Sequence, residues 1–253
     1  MKMIQRPIEI WWGVNTSERV FEAGIRAEEP VSILNKFLKE YGAKSHGDLP
    51  ADRGIGRCPA VLDELQNVYG IKPYYDYTLN IDENNYVTSP DYDQIFFDSH
   101  IRIRSERCIS FEFPITLFAP YEKSLLMSQT APYLEDNDIA NNTLIIPGQF
   151  DIAKYFRDLD HAWFFKKETS SIKFLRKQVC YYVRFHTTRP IVFRQFFWDK
   201  DLNEIIRPVL ASKMHKYTSV SGAPNLSYYY KLFEKFQFKK KIIKMLEKNL
   251  TKK

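Results

Sequence analysis

The sequence predicts an α+β protein: an antiparallel, strand-rich body of sandwich or jelly-roll type, with N-terminal helices and a C-terminal helical arm. Three observations carry this. Helical spacing of apolar residues dominates positions 30–70, period-two alternation dominates the middle, and helical spacing returns near the end. No internal repeat or Pro/Gly/Ser linker interrupts the series. Residues 1–218 therefore read as a single α+β domain and residues 219–253 as a basic amphipathic C-terminal helix.

Taken in order, residues 7–14 form an opening strand closed at Gly13. Pro30 to Gly42 reads as a helix with Ile33, Leu34, Phe37, Leu38 and Tyr41 on one face. A second helix runs from Pro59 to Tyr69, with Gly70 as its stop. Alternating, β-rich segments follow at 75–81, 101–104, 109–118, 121–128, 143–148, 162–165, 171–175, 179–185 and 191–198, of which seven or eight are expected as strands. Asp199 to Lys216 returns to helix, with Pro208 breaking it, and the last helix spans about Ser227 to Leu250.

Composition removes whole classes. With 253 residues, 44% hydrophobic and 27% charged, the chain is long enough for a sizeable core and too apolar for disorder. Nine glycines argue against a phosphate-cradling loop, and G-x-S-x-G, G-x-x-x-x-G-K-[ST], H-E-x-x-H and G-x-G-x-x-G are all missing. Cys58, Cys108 and Cys180 are odd in number and far apart, which excludes a disulfide framework or a zinc ribbon. No apolar stretch has the length of a transmembrane segment, and Met1 to Pro7 lacks a signal-peptide core, so an intracellular setting is expected.

The net charge of +6 hides a strong polarity along the chain. Residues 1–160 carry −9, residues 161–200 carry +7, and residues 231–253 carry another +7. Acidic and basic parts can neutralise each other within one monomer, or the basic parts can meet an anionic partner.

Two basic segments are candidate surfaces. In the terminal helix, Tyr229, Leu232, Phe233, Phe236, Ile243, Leu246 and Leu250 form an apolar stripe. Lys231, Lys235, Lys239, Lys240, Lys241, Lys244 and Lys248 fill most of the rest. Such a helix packs on its own domain or docks with a protein partner, with membrane-surface binding a minor reading. Phe236, Ile243 and the lysines at 231, 235, 239, 240, 241 and 244 are the expected partner contacts. In the second segment, Lys173, Arg176, Lys177, Arg184, Arg189 and Arg194 interleave with aromatic residues, as in sheets that hold single-stranded nucleic acid. Strand alternation alone places Tyr181, Val183 and Phe185 on one face, and Tyr182 and Arg184 on the other.

His46-Gly47-Asp48 with His186 would supply two imidazoles and a carboxylate for a facial iron site. Asp98 beside His100, and Asp160 beside His161, are comparable pairs. Cys58 before Pro59 sits at a helix start, where a packed structural role competes with a reactive one. The acidic runs Asp82-Glu83 and Asp91-Tyr92-Asp93 lack the glycine of a calcium loop.

Cys58-Pro59-Ala60, Asp63, Asn67 to Pro73 and Asp76, followed by Ile146 to Arg157, together resemble a group of uncharacterised proteins encoded by large tailed bacteriophages. The resemblance covers about the central half of the chain. It implies a viral origin and a small β-rich body, located in the host cytoplasm or the virion, and carries no activity or functional residues with it. The expected function is a non-enzymatic phage accessory or virion-associated protein acting through protein–protein contacts or self-assembly, with no cofactor. A cupin-like oxygenase using Fe(II) and 2-oxoglutarate, and a nucleic-acid-binding protein, are the alternatives.

Overall fold

The computed structural model describes residues 6–14, 28–41, 55–73, 76–91, 101–103, 107–204 and 226–251. The first elements are β1 (Ile8–Val14), β2 (Val31–Ser32), α1 (Ile33–Tyr41), α2 (Pro59–Leu65), β3 (Val68–Ile71), β4 (Tyr77–Ile81) and β5 (Val87–Thr88). Next come β6 (Ile101–Ile103), β7 (Cys108–Phe118), β8 (Leu126–Thr130), α3 (Asp138–Asn142), β9 (Thr143–Ile145), β10 (Gln149–Asp151) and β11 (Asp158–Phe165). The last are β12 (Ser171–Phe174), β13 (Tyr181–Phe185), β14 (Ile191–Gln195), α4 (Leu226–Lys235) and α5 (Phe238–Asn249).

This is an α+β, sandwich-like fold. One six-stranded sheet has the order β14-β1-β7-β11-β9, with β6 also paired to β7. A five-stranded sheet runs β10-β8-β13-β3-β2, and a small three-stranded sheet runs β12-β4-β5. All described ladders are antiparallel except β1 with β14.

Side-chain alternation sorts the layers. On β1, Ile8, Ile10 and Trp12 enter the main core, whereas Trp11 enters a second cluster on the opposite face. On β13, Tyr181, Val183 and Phe185 enter the main core, as their spacing predicts, and Tyr182 points the other way. The main core is thus the filling between the sheets. Outside the five-stranded sheet, Tyr182 and Val68 pack under Ile33 and Phe37 of α1 and Leu65 of α2. Outside the six-stranded sheet, Trp11, Phe118 and Phe196 pack under Phe233 of α4 and Ile242 and Leu246 of α5. Both strands are buried on both faces because helices cover the two sheets from outside. Gly13 lies where β1 passes under Phe196, and a Cβ there would sit 2.6 Å from that ring.

Several expectations are corrected. Fourteen strands are present among the described residues, against an opening strand and the seven or eight expected after it. Residues 31–32 pair with β3 before α1 begins, because Ser32 accepts a hydrogen bond from the Asn35 amide and so starts the helix at Ile33. The second helix ends at Leu65 rather than Tyr69. Asn67 takes the left-handed turn (φ 56°) and donates to the Thr187 and Arg189 carbonyls, releasing Val68 to Ile71 as a strand with Gly70 inside it. The strand placed at 121–128 begins only at Leu126. Residues 200–204 are helical, with the Asp199 carboxylate accepting from the Leu202 amide. Pro208 and the remainder of that predicted helix lie outside the described residues.

Candidate functional site

The C-terminal segment is two helices rather than one. Gln237 adopts a left-handed conformation (φ 52°, ψ 31°) between α4 and α5. The sequence explains what the break accomplishes. In one straight helix, the nine-residue step from Phe233 to Ile242 would turn the two side chains about half a turn apart. The break rephases them, so Phe233, Ile242 and Leu246 all reach the same cluster on the body. Phe236, predicted in the stripe, is left 51% exposed. The chain end is fastened too: Phe196 and Leu250 form an isolated bridge, and Thr251 donates to the Gln195 carbonyl.

With the apolar stripe consumed, the lysines divide. Lys231, Lys235, Lys240, Lys241, Lys244 and Lys248 are exposed. Among the described residues none of them has a carboxylate within ion-pair distance. Lys239 instead turns inward, its ammonium donating to the Glu122 carbonyl at 2.6 Å and lying 6.0 Å from the Phe118 ring. Burial pushes its pKa below the ordinary lysine value, and neighbouring Lys154 adds to this, while Asp151 and Glu122 oppose it. Ile243 is half-buried beside the same cluster.

The break also makes a concavity. A cleft of about 540 Å³ opens between the two helices and the body, walled by Ala153, Phe233 and Ile243. Lys123, Lys154, Lys239 and Lys240 line it, with Glu234 and Gln237 at its helical side. Behind it lies the buried Asp151, whose carboxylate accepts from the Ser124 hydroxyl, the Leu125 and Ala153 amides, and Lys154 at 2.9 Å. Burial works to raise the Asp151 pKa, but these hydrogen bonds outweigh it and hold the group below the usual carboxylate value. The Asp151 amide donates to the Tyr230 hydroxyl at 2.7 Å, tying α4 to the body. Lys123, Lys154, Asp151 and Tyr230 carry no sequence motif; only the folded chain brings them together.

The second basic segment behaves differently. Arg184 pairs with Glu64 at 2.7 Å, Arg189 with Glu122 at 3.0 Å and Arg194 with Glu9 at 3.0 Å. The Arg189 guanidinium also donates to the Arg6 carbonyl. Lys173 and Lys177 are exposed, and the Lys173 and Arg176 amides are held by Asp138 and Asp76. The acidic first part of the chain therefore neutralises three of these arginines.

His186 lies 3.0 Å from the Ser128 hydroxyl on the exposed end of β13. His46 and Asp48 lie outside the described residues, as do Asp98 and His100. Among the described residues no group of three His, Cys, Asp or Glu side chains is disposed to hold a metal. His161 is buried, with its ring 3.8 Å from that of Tyr181. Cys58 is exposed before α2, whereas Cys108 and Cys180 are buried, and burial pushes the Cys180 thiol well up. The Asp82 carboxylate accepts from the Asn84 and Tyr86 amides and so serves the β4–β5 turn. No described helix is long and apolar enough to cross a membrane. Comparison with protein-family models, with curated proteins and with solved structures finds no match to this chain.

Proposed function

We propose that this chain is a non-enzymatic accessory or virion-associated phage protein that works by protein–protein contact, through the lysine face of its C-terminal helical hairpin. The observation that carries the reading is the division of labour on α5. Ile242 and Leu246 fasten the helix to the body, while Lys241, Lys244 and Lys248 stand together on the outside with no described carboxylate partner. Residues at i, i+3 and i+7 share one helix face, so the charge is presented as a fixed stripe. A fixed cationic stripe favours an acidic protein surface by electrostatic complementarity.

One further observation favours protein over nucleic acid as the partner. The arginines that would extend a phosphate-binding track across the sheet are paired with Glu9, Glu64 and Glu122. The test replaces Lys241, Lys244 and Lys248 together by Glu and measures binding to poly-L-glutamate, duplex DNA and anionic vesicles. The reading expects polyglutamate binding that the triple variant loses. DNA binding with a steep salt dependence would transfer the function to nucleic acid, and binding to none of the three would overturn it.

A further inference from the structure

We propose that the cleft between the helical hairpin and the body is a binding site for a small amphipathic anion, an apolar group carrying one carboxylate. This goes beyond the outer lysine stripe and is independent of it. The volume of about 540 Å³ lies within the ordinary size of small-molecule sites. Its walls are apolar, through Ala153, Phe233 and Ile243, so they suit a hydrocarbon or aryl body.

The charge of the cleft fixes the head group. Four lysines line it against one carboxylate, that of Glu234. Lys154 is satisfied by Asp151. Among the described residues, the Lys239 ammonium has a hydrogen bond to a neutral carbonyl and no carboxylate within ion-pair distance, in a half-buried position beside a phenylalanine ring. Lys123 and Lys240 stand exposed at the mouth. An ammonium ion partly withdrawn from water with no carboxylate in direct contact is disfavoured, and an incoming carboxylate supplies that contact through a charge-assisted hydrogen bond. A cationic or neutral ligand of the same shape supplies none.

Binding is then linked to protons. Glu122, Asp151, Glu234, Lys123, Lys154, Lys240 and the Tyr230 phenol are the other titratable groups around Lys239. Their balance, with burial, leaves the Lys239 ammonium destabilised. A bound carboxylate reverses this, so binding takes up protons at pH values where Lys239 of the free protein is partly deprotonated.

Titration calorimetry on the full chain tests the proposal, using dodecanoate below its micellar concentration. The comparison arms are acetate, dodecyltrimethylammonium and phosphatidylglycerol vesicles. Dodecanoate should bind one to one, with acetate at least about tenfold weaker because it lacks the apolar body, and the cation at least about tenfold weaker because it lacks the charge-assisted contact. Lys239→Met and, on the body side, Lys123→Met should each weaken dodecanoate, Lys239→Met by about tenfold. The second variant keeps the test alive if the first fails to fold. The Lys241/Lys244/Lys248 glutamate variant should bind dodecanoate as the parent does, so the cleft and the outer stripe fail separately. Equal affinity for the cationic amphiphile, undiminished binding in both methionine variants, or vesicle binding without dodecanoate binding would each overturn the proposal.

Discussion

The two basic segments carry similar charge and have opposite fates. Arginines 184, 189 and 194 stand on or beside strands of the body and meet carboxylates from the acidic first part of the chain. The lysines of α4 and α5, apart from the inward-turned Lys239, ride on helices fastened by their apolar side, and their ammonium groups are left facing water. The same excess of positive charge is thus internal bookkeeping in one region and a presented surface in the other. Guanidinium groups, planar and fork-shaped, suit fixed pairing with carboxylates; ammonium groups on long stems suit a solvated stripe.

The sharpest way to break the contrast is to detach the hairpin. Leu246 is fully buried, so Leu246→Ala should cost about 2–5 kcal/mol and expose α5 to limited proteolysis before the sheets melt. A smaller effect is expected at Asp151, where Asp151→Ala strands the buried amide donors of Leu125 and Ala153 and removes the acceptor of the Ser124 hydroxyl, at a cost of about 1–3 kcal/mol. The sign of its pH dependence follows from the lowered folded pKa. Its contribution is full above the ordinary value of 3.8 and is lost as pH falls through the lower folded value. Acid titration of thermal stability should therefore be steeper in the parent than in the alanine variant.

The ion pairs rank lower. A double-mutant cycle on Arg189 and Glu122, both partly exposed, should return a coupling of about 0.2–1 kcal/mol that shrinks with salt. Least of all, replacing Lys241, Lys244 and Lys248 by Glu should leave the melting temperature unchanged within error while abolishing binding to polyglutamate. A measurable loss of stability there would mean that the lysines pair within the monomer after all, and the contrast between the regions would collapse.

Much of the fold is written in local periodicity. The long strand β7, the second half of β11, the alternation of Tyr181 to Phe185, the existence of α1 and α2, and the helical character of the C-terminal segment are all legible in the spacing of apolar residues. The strands β2 and β5 are not, since two residues show no period and exist only by pairing with a neighbour. Gly70 misleads for a different reason: a glycine after a helical run signals a stop, but Asn67 provides the stop three residues sooner. The stripe at the C-terminus was readable as apolar but not as broken, because its phase error appears only when Phe233 and Ile242 must face the same sheet. For the cleft there is no local signal. Its lysines come from positions 123, 154, 239 and 240, and only the packing of the hairpin makes them neighbours.

The pairing of β1 with both β7 and β14 has a consequence for how the chain assembles. Residues 8–14 form an interior strand whose partners are residues 115–118 on one side and 191–195 on the other. β1 precedes both of its partners along the chain, its second edge is closed only by residues 191–195, and Leu250 bridges Phe196 beside the end of β14. Loop-closure entropy makes such distant pairings slow, and an unpaired strand edge is a template for association with other chains. The six-stranded sheet therefore cannot close before residues 191–195 are present, and truncation before residue 191 should yield an aggregating product rather than a smaller native domain.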